Sequence, residues 1–161
     1  RAALVAIWQT EAPRGWRATL SGCRAGSWTP SRREGLLDTS VLIGELPPPE
    51  DVEAAISVVS ITELHFGVLV AADDDERARR VARLAAIEAT FDPLPVSVEV
   101  ARVWGQLAAA VVRRGGNPRR RQMDLAIAAT ARVEGVPLLT QDVGDFEIIR
   151  DLVDARRLTD R

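Results

Sequence analysis

Gly35-Leu36-Leu37-Asp38-Thr39-Ser40-Val41-Leu42-Ile43 passes from a short apolar run through an acid and two hydroxyls into a second apolar run. The first run reads as a buried strand. Asp38-Thr39-Ser40 carries side chains that cap helix N-termini, and Val41 to Ile43 begins a helical turn. A strand that hands an acid directly to a helix is a unit of an α/β fold, and it places Asp38 at the strand's carboxyl end. In open α/β sheets, ligands bind at that end.

Working outward, Pro47 to Pro49 break the chain. Val52 to Ala55 are then expected to start a helix, and the apolar run Ile56 to Val59 to form a buried parallel strand. Ser60 and Thr62 offer caps for a helix through Glu63, Leu64, Gly67 and Val70. Asp73 to Glu76 precede the arginine-rich stretch Arg77 to Thr90. Acids first and cations later suit the helix dipole, so this charge run reads as a solvated helix and not as a metal site. Ser97 caps a further helix, in which Val100, Val103, Trp104, Leu107 and Val111 recur at helical spacing until Gly115-Gly116-Asn117-Pro118 ends it. Met123 to Val133 is expected to be helical, Leu138-Leu139-Thr140 a strand, and Ile148-Ile149 the start of a tail. Strands alternating with helices imply a three-layer α/β/α sandwich around a central, mainly parallel sheet.

Composition narrows the chemistry. The 161 residues include 21 arginines but no lysine, one His, one Cys and 47% apolar side chains. A chain of this length buries roughly 70% of its unfolded surface, so it needs no disulfide or structural metal to fold. Lone Cys23 cannot build a disulfide framework or a Cys-rich zinc site. The absence of lysine excludes P-loop nucleotide binding, pyridoxal Schiff-base chemistry and the protein kinases, and it disfavours a response-regulator receiver. Apolar runs such as Leu107 to Val112 are far shorter than the roughly 20 residues that span a bilayer, so a cytoplasmic protein is expected.

Charge and pattern divide the chain in two. Residues 1–35 hold six Arg, two Glu and three of the four Trp, whereas 36–161 hold fifteen Arg against twenty-one acids. Residues 1–34 are expected to be a basic, poorly ordered leader, with an RNA-gripping arm as the alternative, and residues 35–161 the folded domain.

Within that domain a short set of acids falls at strand ends or at the starts of the helices that follow: Asp38, Glu63, Asp124, Asp142 and Asp145. Ile127, Ala128 and Ala131 lie three, four and seven residues beyond Asp124, so its carboxylate shares a face with core residues. An inward-facing acid without an amine partner is costly, and a shared divalent cation removes the cost. Oxygen donors without a His or Cys cluster favour Mg2+ or Mn2+ over zinc, and the natural chemistry of such a site is phosphodiester hydrolysis by an activated water.

Four blocks then carry a resemblance. Leu36-Leu37-Asp38-Thr39-Ser40-Val41-Leu42-Ile43, Ser60-Ile61-Thr62-Glu63-Leu64 with Gly67, Asp124-Leu125-Ala126-Ile127-Ala128-Ala129-Thr130-Ala131, and Leu139-Thr140-Gln141-Asp142-Val143-Gly144-Asp145-Phe146 occur in this order over residues 36 to 150. Together they resemble the signature blocks of PIN-domain ribonucleases, above all the VapC toxins of bacterial toxin–antitoxin pairs. The resemblance implies that Asp38, Glu63, Asp124 and Asp142 are the catalytic, metal-holding acids. It also implies that Ser40 and Thr140 orient a water or a ligand, and that Asp145 is an additional acid of the last block. It further implies a metal-dependent endoribonuclease toxin, silenced by a VapB-like antitoxin and homodimeric. The expected antitoxin surface is an apolar groove along Ile61 to Val70 and Leu84 to Ile87. The structural alternatives are that Asp38, Asp124 and Asp145 merely cap helices or turns. The functional alternatives are a structure-specific DNA nuclease of related fold and a non-catalytic RNA-binding scaffold.

Two further expectations concern side chains near these acids. Arg113, Arg114, Arg119, Arg120 and Arg121 flank Asp124 and are candidates to hold RNA phosphates, against the alternative of a solvated loop. His65 lies two residues beyond Glu63, on another side of the helix, and reads as structural.

Overall fold

A computed structural model of the chain describes residues 34–44 and 53–158. The expected leader over 1–34 falls outside these residues except for Glu34, as does the break at Pro47 to Pro49.

Four strands form one parallel sheet in the order β2-β1-β3-β4: β1 Glu34–Leu37, β2 Glu53–Ile56, β3 Leu138–Thr140 and β4 Ala155–Arg157. Around it run α1 Thr39–Leu42, α2 Val58–Leu69, α3 Asp74–Thr90, α4 Val98–Arg113 and α5 Gln122–Glu134, with 3-10 segments at Pro118–Arg121 and Val143–Ile149. Side chains alternate along each strand and divide the core in two. Leu36, Ala55 and Leu138 pack with α4, α5, Phe146 and Ile149, while Leu37, Ile56 and Leu139 pack with α1, α2 and α3. This is the expected α/β/α sandwich.

The local chemistry of the caps explains several helix starts. The Ser97 and Asp73 side chains accept from the backbone N–H groups of Val100 and Glu76, and Asp74, Asp75 and Glu76 fill the first turn of α3. Gly135, in the left-handed region at φ 72°, closes α5. At Gly35 an added Cβ would lie 2.8 Å from the Pro137 carbonyl oxygen and 2.7 Å from Leu139 Cγ, so glycine is what lets β1 and β3 approach.

Three expectations are corrected. Of the helix expected to start at Val52 to Ala55, Val52 lies outside the described residues and the rest is strand: residues 53 to 56 are β2, because Ala54, Ala55 and Ile56 are buried beside β1 and burial between two helical layers outweighs alanine's weak strand preference. The strand expected at Ile56 to Val59 therefore ends at Ile56, and α2 begins at Val58, capped by the Ser57 hydroxyl, earlier than Ser60. The tail holds β4, an edge strand whose Arg156 and Arg157 are exposed; such short, charged edges carry no apolar alternation.

Candidate active site

The strand order reverses direction at β1, from which the chain goes one way to β2 and the other way to β3. Asp38 follows β1 directly, and its backbone N–H donates to the Leu139 carbonyl at 2.9 Å, which carries the β1–β3 ladder one residue further and sets Asp38 beside Thr140. Asp38 is buried, 7% exposed, and stands at the N-cap of α1 without making a side-chain cap. Its Oδ2 instead accepts from Ser40 Oγ at 2.6 Å and Thr140 Oγ1 at 2.9 Å. Those two hydroxyls lie 3.1 Å apart, and each accepts a backbone N–H in turn, Gln141 onto Ser40 and Asp142 onto Thr140, both at 3.1 Å. A hydroxyl has one proton to give. Here Ser40 and Thr140 give theirs to Asp38, so of the two expected roles, orienting a water or a ligand, they are placed for the second. Oδ1 of Asp38 takes no hydrogen bond from the described residues.

Glu63 reaches the same place from α2. It is half-buried, and Thr39 Oγ1 donates to its Oε2 at 2.5 Å. Asp124 comes from the first turn of α5, whose Ile127, Ala128 and Ala131 are fully buried, as the spacing requires. Burial raises the Glu63 carboxyl above its ordinary value; the Thr39 hydrogen bond opposes the rise, and the charges of Asp124 and Asp38 add to it. Burial likewise raises Asp124, helped by Asp38 and Asp145 and opposed by Arg121. Asp38, Glu63 and Asp124 thus feel one another, and among the described residues none of them has an ion-pair partner.

The last block behaves differently. Asp142 is exposed, and its charge is not among those that raise Glu63 or Asp124. Asp145 is paired with Arg121, whose guanidinium lies 2.5 Å from Oδ1 and also donates to the Asp145 carbonyl oxygen. Among the described residues no three acidic, His or Cys groups stand together closely enough to hold an ion as placed. In this arrangement Thr39 holds Glu63 by one oxygen, and Ser40 and Thr140 hold Asp38. The chemistry of the donors nevertheless fits Mg2+ or Mn2+, because three half-buried or buried carboxylates without a cation present only hard oxygens.

Of the arginines expected to meet RNA, Arg114 is already occupied. It forms a two-pronged pair with Asp151 at 2.6 and 2.8 Å and donates to the Ile148 carbonyl, tying the end of α4 to the second 3-10 segment. With Arg121 on Asp145, this leaves Arg113, Arg119 and Arg120 exposed and without a partner among the described residues. His65 is exposed on α2.

A cleft of about 890 Å³ opens between α1, α2 and α3 and has Thr39 and Glu63 in its lining. Ile43, Phe66 and Met123 give it exposed apolar surface, and Arg79, Arg80 and Arg83 line it from α3. The expectation that Leu84 to Ile87 line such a groove is corrected: Leu84 and Ile87 are buried in the core, and the arginines one turn earlier form the wall. Thr39 and Arg80, which bonds Glu76 and the Gly67 carbonyl, were not anticipated from the sequence. A hydroxyl adjacent to Asp38 was the available signal for Thr39, but its partner lies 24 residues away.

The family model for the PIN domain matches residues 35–152, from the glycine of β1 to beyond the Asp145 block. The chain belongs to the PIN-domain family. Ribonuclease VapC5 of Mycobacterium tuberculosis is 40% identical over 114 residues, covering 67% of this chain and 82% of the relative. Ribonuclease VapC4 of the same organism is 34% identical over 126 residues, covering 74% and 94%. These relatives place this PIN domain in the VapC family. Among solved structures, that of VapBC-5 from M. tuberculosis, a member of the VapBC family of toxin–antitoxin systems, matches with a TM-score of 0.66 and 35% identity over 79% of this chain and 98% of its own. VapBC2 of Rickettsia felis, at 20% identity and a TM-score of 0.62, shows the same fold.

Proposed function

We propose that this PIN domain is an endoribonuclease toxin that hydrolyses RNA phosphodiester bonds with the help of Mg2+ or Mn2+. One observation carries the reading: Asp38, Glu63 and Asp124 gather at the carboxyl edge of the sheet, where burial and mutual repulsion raise Glu63 and Asp124 and none of the three has an ion-pair partner among the described residues. The likeness to ribonucleases VapC5 and VapC4 supports RNA as the substrate.

Asp38, Glu63 and Asp124 would hold the ion, with exposed Asp142 nearby and Asp145 joining only if it leaves Arg121. The chemistry such an ion supplies when bound is Lewis acidity, which makes water nucleophilic near neutral pH and offsets charge on the phosphodiester. The chain's own groups do the rest. Ser40 and Thr140 hold Asp38 by one oxygen, Thr39 holds Glu63 by one oxygen, and Arg113, Arg119 and Arg120 engage phosphates on either side of the scissile bond. Glu63 and Asp124 retain protons to higher pH than free carboxylates, so loading the site releases protons.

The partner supported by the VapBC-5 likeness is a VapB-like antitoxin. The cleft beside Glu63 suits it, since its apolar Phe66 and Met123 accept an amphipathic segment and Glu63 itself is in the lining. A homodimer and a cytoplasmic location complete the reading. Among the described residues no helix is long and apolar enough to cross a membrane.

The test is cleavage of total RNA by the purified chain with Mn2+ or Mg2+, beside an EDTA control and Asp124→Asn. Discrete fragments that vanish in both controls are expected. Folded wild-type protein that cuts nothing with either metal overturns the reading.

A further inference from the structure

We propose that Thr39 is a positioning residue for RNA cleavage, fixing the Glu63 carboxylate through its hydroxyl. The inference rests on the nuclease reading above and deepens it. Glu63 is the one acid of the central three that comes from the far side of the cleft, on α2, and a glutamate has one more rotatable bond than an aspartate. Left alone, its carboxylate would be repelled by Asp38 and Asp124 and would turn toward the open cleft that it lines.

Thr39 opposes this. Its Oγ1 donates to Glu63 Oε2 at 2.5 Å, the length of a strong charge-assisted bond. Thr39 is itself well held: it opens α1, its carbonyl accepts the Ile43 N–H at 3.0 Å, and its β-branched side chain has restricted χ1 freedom. It adjoins Asp38, which is anchored to β3. The three consecutive residues Asp38, Thr39 and Ser40 therefore act together. Ser40 orients the acid before it, and Thr39 orients an acid 24 residues further on. In each carboxylate one oxygen is tied down by a hydroxyl, Oδ2 of Asp38 and Oε2 of Glu63, and the other has no hydrogen bond from the described residues.

The experiment compares wild type, Thr39→Val, Thr39→Ala and Thr39→Ser in RNA cleavage, in Mn2+ binding by calorimetry without RNA, and in thermal melting. Valine keeps the shape of threonine and deletes the hydroxyl. Expected for Thr39→Val and Thr39→Ala are a loss of about ten- to hundredfold in kcat, the range for one hydrogen bond to a charged group, and weaker Mn2+ binding. KM for RNA stays within about threefold, because phosphates are held elsewhere, and Thr39→Ser recovers most of both losses. A folded valine or alanine variant with wild-type kcat and Mn2+ affinity overturns the inference. So does a serine variant as impaired as the valine one, or a loss confined to KM. Wild-type protein that fails to cleave RNA would count against the nuclease reading alone, and the Mn2+ comparison would still decide the role of Thr39.

Discussion

The Arg121 guanidinium meets the Asp145 carboxylate at 2.5 Å, three residues before Asp124 in the chain and next to it in space. The pair joins the entry to α5 to the 3-10 segment after β3, and its positive end is what restrains the rise of the Asp124 carboxyl. Replacing it by Arg121→Gln lets Asp124 rise further, so the acid limb of the cleavage pH profile moves to higher pH. Stability changes little, by about 1 kcal/mol or less, because both side chains are well exposed and screened by solvent. An unmoved acid limb in a variant that still cleaves would show that this charge does not reach the chemistry.

Asp124→Asn abolishes cleavage and stabilises the metal-free fold above the ordinary carboxylate range. The sign follows from the raised value of the native group. Below 3.8, its ordinary value, the folded and unfolded states both hold the proton. As pH rises from there through the raised native value, the unfolded chain loses the proton first and wild-type stability falls. Asparagine has no such loss. The melting-temperature advantage of the variant over wild type, measured in EDTA, is therefore larger at about pH 8 than at about pH 4. The same advantage at both values would remove the repulsion argument.

Thr140→Val costs about 1–3 kcal/mol, since it leaves buried Asp38 with one hydroxyl donor and the Asp142 N–H without its acceptor. Thr140 is fully buried and valine matches its shape, so packing is preserved and the loss reports the hydrogen bonds. Denaturant unfolding measures it. A variant as stable as wild type would mean that water replaces the threonine.

Arg119→Ala with Arg120→Ala weakens RNA binding and lowers the steepness of its salt dependence by about 1.4, the value for two phosphate contacts on single-stranded RNA. Arg114→Ala leaves that slope unchanged, because its guanidinium is held by Asp151 and Ile148, and it lowers the melting temperature instead. Binding titrations over a salt series distinguish the two, and equal slopes in all three proteins would remove the exposed arginines from the RNA path.

Much of the architecture was legible in the residues. The acids Asp73 to Glu76 ahead of an arginine-rich stretch, the cap at Ser97, the apolar spacing of α4, and the run Leu138-Leu139-Thr140 are local signals, and each element formed where its signal lay. The inward face of Asp124 followed from its spacing to Ile127, Ala128 and Ala131, which are all buried. Where the signal was ambiguous, as in the alanine-rich Glu53–Ile56, a strand formed against the local tendency because β1 offered a buried edge. The polar strand Ala155–Arg157 had no local signal, since its pairing partner β3 supplies the order.

The sequence by itself determined the order of the four acidic blocks, the alternation of strands and helices that brings acids to one sheet edge, and the lack of a His or Cys cluster, which points to a hard cation. Only the tertiary structure decided how those acids are held. Asp38 receives Thr140 from 102 residues away, Glu63 receives Thr39, Asp145 takes Arg121 and Asp151 takes Arg114. The physical reason is range. Caps and periodicity act within a turn or two of the chain, whereas a carboxylate's choice among hydroxyls and guanidiniums depends on distances that exist only after the sheet has assembled.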